Sequence, residues 1–310
     1  MSTLQKYLLA PRAPSTAAGF IDDNFAVVEL RRGRGAFSLA SSAVTEMPVG
    51  LITPSFDGTN IQDPDELIEI IAQTAEAAGL ANRKRWSVAL PDAAARTLVI
   101  TLEETSYSSR ELGEILGWKI ERVIASPLSE LRISRQRISP ASHQARYLVT
   151  VANNSVVSQY ESLFAGVGWN TGLMLPRHLG EAQWLMWDDS PGDKILVSGN
   201  RSGFTSVIVR NAEPVLVRNC ICDRQSQADE LHRFALYYRD RLNNGGGAEL
   251  TRMLTLNGID PVEARRAVAD ATDSEPLSFD ASEFGVNLSG EAISFDHLAG
   301  AAGLATLAWQ

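Results

Sequence analysis

The 310-residue chain is poor in the residues that usually announce a chemistry. It has two cysteines, Cys220 and Cys222, and four histidines, His143, His178, His232 and His297, set far apart. In VLVRNCICD the two thiols stand two apart, on one face of a strand, where a disulfide would be strained and no further metal ligand is grouped nearby. They are expected to be core thiols. Basic side chains number 28 against 37 acidic ones, and no dense Lys/Arg cluster offsets the net charge of −9, which argues against nucleic acid as a partner. The longest uncharged apolar run, residues 298–309, falls short of the roughly 20 residues a spanning helix needs, and no charged leader with a cleavage site opens the chain. The expectation is a cytoplasmic protein that reaches a membrane only through a partner. Gly-x-Ser-x-Gly, His-Glu-x-x-His and Walker motifs are all missing, so nucleophilic, zinc-hydrolase and P-loop mechanisms have no starting point. The Asp188-Asp189 pair, before Ser-Pro-Gly, reads as a solvated helix end.

What is present is pattern. With 45% hydrophobic residues, the length suits about two domains. Residues 1–18 mix a short apolar patch (Leu4, Tyr7, Leu8, Leu9) with prolines and read as a flexible arm. From residue 19 the segments GFIDDNFAVVELRRG and GAFSLASSAVTEMP read as an antiparallel meander, followed by helix DPDELIEIIAQTAEAAGL, with Pro64 in its first turn, and strand WSVAL. Residues 95–176 read as strand, helix, two strands, helix and strand, a split βαβ layout. After helix PRHLGEAQWLMWDD a second meander, KILVSGNRSGFTSVIVRNAEPVLVRNCICD, opens a second run of helices and strands that ends in FDHLAGAAGLATLAW.

Two halves that each open with a meander, one carrying an insertion, predict an α/β, actin-like (ribonuclease H-like) two-domain fold with an inserted βαββαβ subdomain. The first domain is expected over 19–94 and 177–190, the insertion over 95–176, and the second domain, with the C-terminal helix, over 191–310. In such a fold the tip of the first hairpin of each half holds phosphates through backbone N–H groups of Gly-rich turns.

The chain resembles the PilM family of type IV pilus assembly proteins and, more distantly, FtsA and the cytosolic part of GspL. The resemblance is carried by FAVVELRRGRGAFSL, DPDELIEIIAQTAEAAGL with WSVALP, SSRELGEILGWKIERVI, YLVTVANNSVVSQYESLFAGVGW and LHRFALYYRDRL, in order along residues 19–310. A nucleotide-binding member would carry Asp-x-Gly with Ser/Thr in the first hairpin. Here the turn is GFIDDNF, running Asp22, Asp23, Asn24 with no glycine, and its two carboxylates, Asp22 and Asp23, would repel phosphate unless a metal intervened. In the second hairpin Ser198 stands where a metal-organising Asp is expected and Asn200 where a glycine is, leaving Gly199, Ser202, Gly203 and Thr205. The adenosine strand ends in Asn257-Gly258 rather than paired glycines, and Gly245, Gly246 and Gly247 read as a connection. The resemblance therefore implies a degenerate site with neither ATP nor Mg²⁺, a pseudo-ATPase with no catalytic residue and no metal ligand. An ATPase or small-molecule kinase with nonstandard phosphate loops is the alternative, and a filament-forming actin relative a further rival.

The resemblance also implies a partner: the short cytosolic N-terminal tail of a PilN-like bitopic membrane protein, held between the first domain and the insertion, with other pilus platform proteins or the assembly ATPase as further partners. Trp118, Ile120, Leu131, Ile133 and Tyr147 are the expected contacts. Ordinary packing of the insertion is the competing role for each.

Overall fold

The computed structural model describes residues 13–33, 36–103, 107–141, 144–242, 249–279, 281–284, 286 and 293–310. His143, the triple glycine 245–247 and most of the N-terminal arm lie outside them. The chain opens with β1 (Thr16–Ile21), β2 (Asn24–Arg32) and β3 (Phe37–Glu46), then α1 (Pro64–Ala77) and β4 (Arg85–Leu90). An excursion follows through β5 (Arg96–Leu102), α2 (Ser109–Ile124), β6 (Leu131–Ala141) and β7 (Gln144–Asn153), and α3 (Asn154–Gly166) with β8 (Asn170–Pro176) brings the chain back. α4 (Arg177–Trp187) leads to the second meander, β9 (Asp193–Asn200), β10 (Gly203–Arg210) and β11 (Glu213–Ile221). α5 (Gln227–Leu242), β12 (Leu250–Leu256), α6 (Pro261–Thr272), β13 (Leu277–Ser278) and α7 (Phe295–Thr306) complete it. Among the described residues no helix is long and apolar enough to cross a membrane.

Each half has a five-stranded sheet, ordered β3-β2-β1-β4-β8 in the first and β11-β10-β9-β12-β13 in the second. Antiparallel hairpins lead into parallel strands in both, β1 beside β4 and β9 beside β12. Local signals place the helices. Asp63 caps α1 by accepting from the N–H groups of Asp65 and Glu66, and the apolar stripe Leu67, Ile71 and Ala75 is buried against the first sheet. Ser108 and Glu111 form a reciprocal capping box at the start of α2.

Helices and sheets stack in layers. α1 and α3 cover the outer face of the first sheet, in a core that includes Phe20, Phe25, Trp86, Tyr160 and Phe164. α5 and α6 cover the outer face of the second, around Phe204, Phe234 and Tyr238. Between the sheets lies a shared core of Val28, Leu30, Trp184, Leu196, Val207, Leu254 and the alanines of α7.

Three boundaries differ from the sequence reading. Thr16, Ala17 and Ala18, assigned to the arm, are buried in β1, because β2 supplies partners as far as Glu29 opposite Thr16. The insertion sheet has three strands, β5-β7-β6, and is a βαββ unit rather than βαββαβ. α3 and β8, expected inside it, belong to the first domain: β8 pairs in parallel with β4, and Val156, Tyr160, Leu163 and Phe164 enter the first core. α7, assigned to the second domain, packs on the first sheet, where a Cβ on Gly19 would stand 3.3 Å from Ala301 Cβ.

α4 and α7 cross at bare backbone. A Cβ on Gly303 would overlap the carbonyl oxygen of Gly180, and one on Gly180 would overlap that of Gly300. Trp184 Nε1 donates to Ala299 O at 2.9 Å across the same contact. Gly303→Ala should therefore lower the unfolding free energy by about 1–3 kcal/mol or more, as overpacking does. Gly113→Ala, in α2 where an added Cβ meets nothing within 4 Å, should raise it by about 0.5–1 kcal/mol. Denaturant titration of both variants checks the pair; equal effects would contradict the crossing.

Candidate functional site

Two of the hollows built by the fold lie where the sequence reading places nucleotide and partner. The first is the cleft where the β1–β2 and β9–β10 turns face each other, with a cavity of about 270 Å³ bordered by Asp22, Asp92, Arg96, Arg177, Arg201 and Asn219. Asp22 and Asp23 make a two-residue turn between the paired Ile21 and Asn24, with Asp22 at φ 48°. In the second turn Asn200 Oδ1 accepts from Ser202 N–H at 2.9 Å, and Ser202 O accepts from Cys222 N–H. The amide that a phosphate nest would offer there is already committed to a side chain. Asp23 forms an ion pair with Arg201, so the two tips are tied to one another.

The glycines of the second hairpin have packing reasons. A Cβ on Gly199 would overlap Asn257 O, and Gly203, at φ +144°, lies against Cys220 O. Thr205 is buried, its hydroxyl donating to Asp92 Oδ2 at 2.9 Å and accepting from Asn219. Gly258 stands in the turn after β12 at φ 78°, following Asn257, also at positive φ.

Behind the turns lies a buried charge network. Asp92 follows β4 directly, and its carboxylate accepts from His178 N–H at 3.2 Å, capping α4 in place of Pro176, which offers no side-chain cap. His178 Nδ1 stands 2.8 Å from Asp92 Oδ1 and its Nε2 2.9 Å from Thr97 Oγ1. Arg177 lies one residue earlier, 2% exposed; it donates from Nη2 to Gly199 O at 2.7 Å and stands 3.6 Å from Asp92 Oδ2 and 3.3 Å from Glu181 Oε1. Asn257 Nδ2 donates to both Glu181 and Ser198, closing the network onto β9. Burial alone would push the Asp92 carboxyl up; the charges of His178 and Arg177, with hydrogen bonds from His178 and Thr205, outweigh it and hold the group well below the usual carboxylate range. Burial pushes Glu181 the other way, opposed by Arg177. Arg177 Nε and Glu181 Oε2 lack hydrogen-bond partners, so this pair is held by charge with imperfect geometry.

The second place is a groove of about 420 Å³ between the insertion and the first sheet. Its walls are two sheet edges, β6 through residues 132–134 and β8 through residues 171–176. Leu90, Ala95, Ala152, Val157 and Met174 make an apolar lining, and Arg132 pairs with Glu161 beside it. Of the five expected partner contacts only Ile133 borders this groove, 36% exposed. Ile120 lies on the inward stripe of α2, and Leu131 and Tyr147 alternate onto the face of the insertion sheet that this helix covers, so all three are core residues. Trp118 is 58% exposed on α2, with the Arg122 guanidinium 5.5 Å from its ring.

A structure of the PilM-PilN type IV pilus biogenesis complex superposes with a TM-score of 0.74 at 15% identity, over 96% of this chain and 98% of that one. A Bacteroides thetaiotaomicron protein with an actin-like ATPase fold and unknown function gives 0.51 at 9% identity, covering 100% of both chains. The fold is actin-like. The sequence matches no family model and no curated protein.

Within this actin-like frame, sequence reasoning placed the two turns and missed Asp92, Arg177, His178, Glu181 and Arg201. A signal existed: Arg177 and Glu181 stand four apart in a helix that also carries Leu179, Ala182, Trp184, Leu185, Met186 and Trp187, an apolar content that marks burial on more than one face. Replacing Arg177 by Met leaves Asp92 and Glu181 buried without their cation and should cost about 3–5 kcal/mol in denaturant unfolding; a loss below ~1 kcal/mol would refute the network. The depressed Asp92 gives stability that is complete above the unfolded carboxyl range, near pH 4, and is lost as pH falls below it. The wild type should therefore lose stability more steeply than Asp92→Asn between about pH 4 and pH 2.

Proposed function

We propose that the protein is an actin-like adaptor of a type IV pilus or related secretion platform, acting at the cytoplasmic face of the inner membrane. It holds the extended tail of a PilN-like membrane protein in the groove between β6 and β8. The observation that carries this reading is the groove itself: two strand edges flank an apolar lining, the arrangement in which an extended segment gains main-chain hydrogen bonds from an edge and side-chain pockets from the floor. The similarity to the PilM-PilN complex structure supports it.

The cleft supports a scaffold rather than an ATPase. A triphosphate with its metal needs free turn amides and a carboxylate free to organise the metal's waters. Here Asn200 takes the Ser202 amide, Arg201 takes Asp23, and Asp92 is held by His178, Thr205 and Arg177. The residues present do not fit the group, and no phosphoryl-transfer step is assigned to them.

Calorimetric titration with a synthetic peptide of the tail of a PilN-like protein from the same genome tests the groove. Ser134→Arg and Thr150→Arg, cross-strand neighbours at the groove and neither fully buried, should each weaken binding at least about tenfold, ~1.4 kcal/mol, without lowering the melting temperature. Tail binding indifferent to both would reject the groove. Millimolar Mg-ATP should give neither heat nor a thermal shift, and stabilisation by it would favour the enzyme.

A further inference from the structure

We infer that the partner's tail joins the edge of β6, not that of β8, as a fourth strand of the insertion sheet, and that Arg135 selects a carboxylate on it. Side chains of the added strand point alternately into the groove and into a second hollow on the α2 side. This rests on the tail-binding reading above and names the edge that is used and the chemistry that is recognised there.

The two edges that flank the groove are not equally open. β6 is last in the order β5-β7-β6, and residues 132–137 are exposed without interruption. Only alternate residues of an antiparallel strand bond to the neighbour on a given side, so every second residue of β6 turns its N–H and C=O away from β7. In β8, by contrast, Gly172 is the one exposed residue between 171 and 175, and Pro14 lies against it, 3.1 Å from where a Cβ would stand. A strand seeking backbone partners therefore meets a longer free edge on β6.

Both faces of that edge offer a place for side chains. Arg132 lies opposite Ala152 and Ser134 opposite Thr150, and all four border the groove. Ile133 lies opposite Val151 and Arg135 opposite Val149, and these valines belong to the core under α2. On that side a hollow of about 350 Å³ opens between helix and strand, lined by Leu116, Ile120, Leu128, Ile133, Arg135 and Val149. Gly113 of α2 helps to keep it open, since a Cβ there would meet nothing within 4 Å. Successive side chains of a strand added to β6 point to opposite faces, so one enters the groove and the next enters this hollow. Charge sets the class of the second. On the groove side Arg132 is paired with Glu161, whereas Arg135 makes no hydrogen bond or ion pair among the described residues. A carboxylate of the added strand opposite Arg135 supplies the missing partner, as a charge-assisted cross-strand pair. The residue two away on the same face meets Ile133 and the apolar part of the hollow, and the residue between them faces Leu90 and Met174 in the groove. The tail is thus expected to carry an acidic residue and an apolar residue two apart, with an apolar one between.

The test uses the full-length protein and a synthetic peptide of the tail of the PilN-like protein. On saturation, alternate amides among residues 132–136 should exchange at least tenfold more slowly by residue-resolved NMR, with residues 171–175 unchanged. Protection along β8 with β6 unchanged would overturn the inference. Arg135→Glu should weaken tail binding at least tenfold, and a peptide with its carboxylate replaced by Lys should bind this variant more tightly than it binds the wild type. Gly113→Leu, which fills the hollow without touching the groove, should also weaken binding at least tenfold, with the melting temperature not lowered and exchange in α1 unaltered. Tail binding that Ser134→Arg weakens but that Arg135→Glu and Gly113→Leu leave unchanged would reject the added strand and keep the adaptor reading. A wild type that binds no tail would reject the adaptor reading and the added strand with it.

Discussion

Arg177 is the interaction on which the arrangement of the molecule depends. Its guanidinium is buried at the meeting point of β9, α4 and the segment after β4, where it faces the carboxylates of Asp92 and Glu181 and the carbonyl of Gly199. A charge in such a place is tolerated only while its partners stay fixed, so the cost of separating the halves includes exposing three ions to mismatched surroundings. Asp92 reaches Thr205 in the second domain and His178 in the first, and Asn257 ties Glu181 to Ser198. Closure of the cleft is thereby written into the protein's own side chains.

The same closure positions the groove. The second face of the insertion sheet packs through Ile138 and Leu148 on Leu179 of α4, with Val217 of β11 alongside, and Arg146 donates to Val215 O at 2.7 Å. The insertion therefore rests on the junction of the two domains, and β6 is held opposite β8 by contacts to both. A groove made of two edges keeps its width only if the bodies that carry them do not move, which makes a rigid, self-closed cleft suited to a docking protein.

Much of the architecture was legible because it is local. The cap at Asp63, the capping box at Ser108 and the paired meanders announce themselves in short windows, and the order of elements is what suggests two similar halves. The ends of the insertion were not legible: α3 and β8 have the pattern of any amphipathic helix and edge strand, and only pairing with β4 assigns them to the first sheet. α7 misled for a related reason, since an Ala/Gly-rich helix does not reveal which layer it will approach. At the cleft the turns were visible and the charges behind them were not. Arg177, His178 and Glu181 lie far along the chain from Asp92, His178 by 86 residues, and read singly as helix residues, and their meaning arises from a contact no window contains. Ile120, on the stripe of a helix, and Leu131 and Tyr147, on alternating strands, failed as surface residues because apolar periodicity marks the buried face, whichever face that is.

The most direct test of this account is the distance between the two domains with and without nucleotide. Spin labels on the exposed positions Glu76 of α1 and Arg266 of α6, in a Cys222→Ser background, report across both sheets. A cleft closed by its own arginines predicts one narrow distance distribution that millimolar Mg-ATP leaves unchanged. A second population in the free protein, or a shift when Mg-ATP is added, would contradict it.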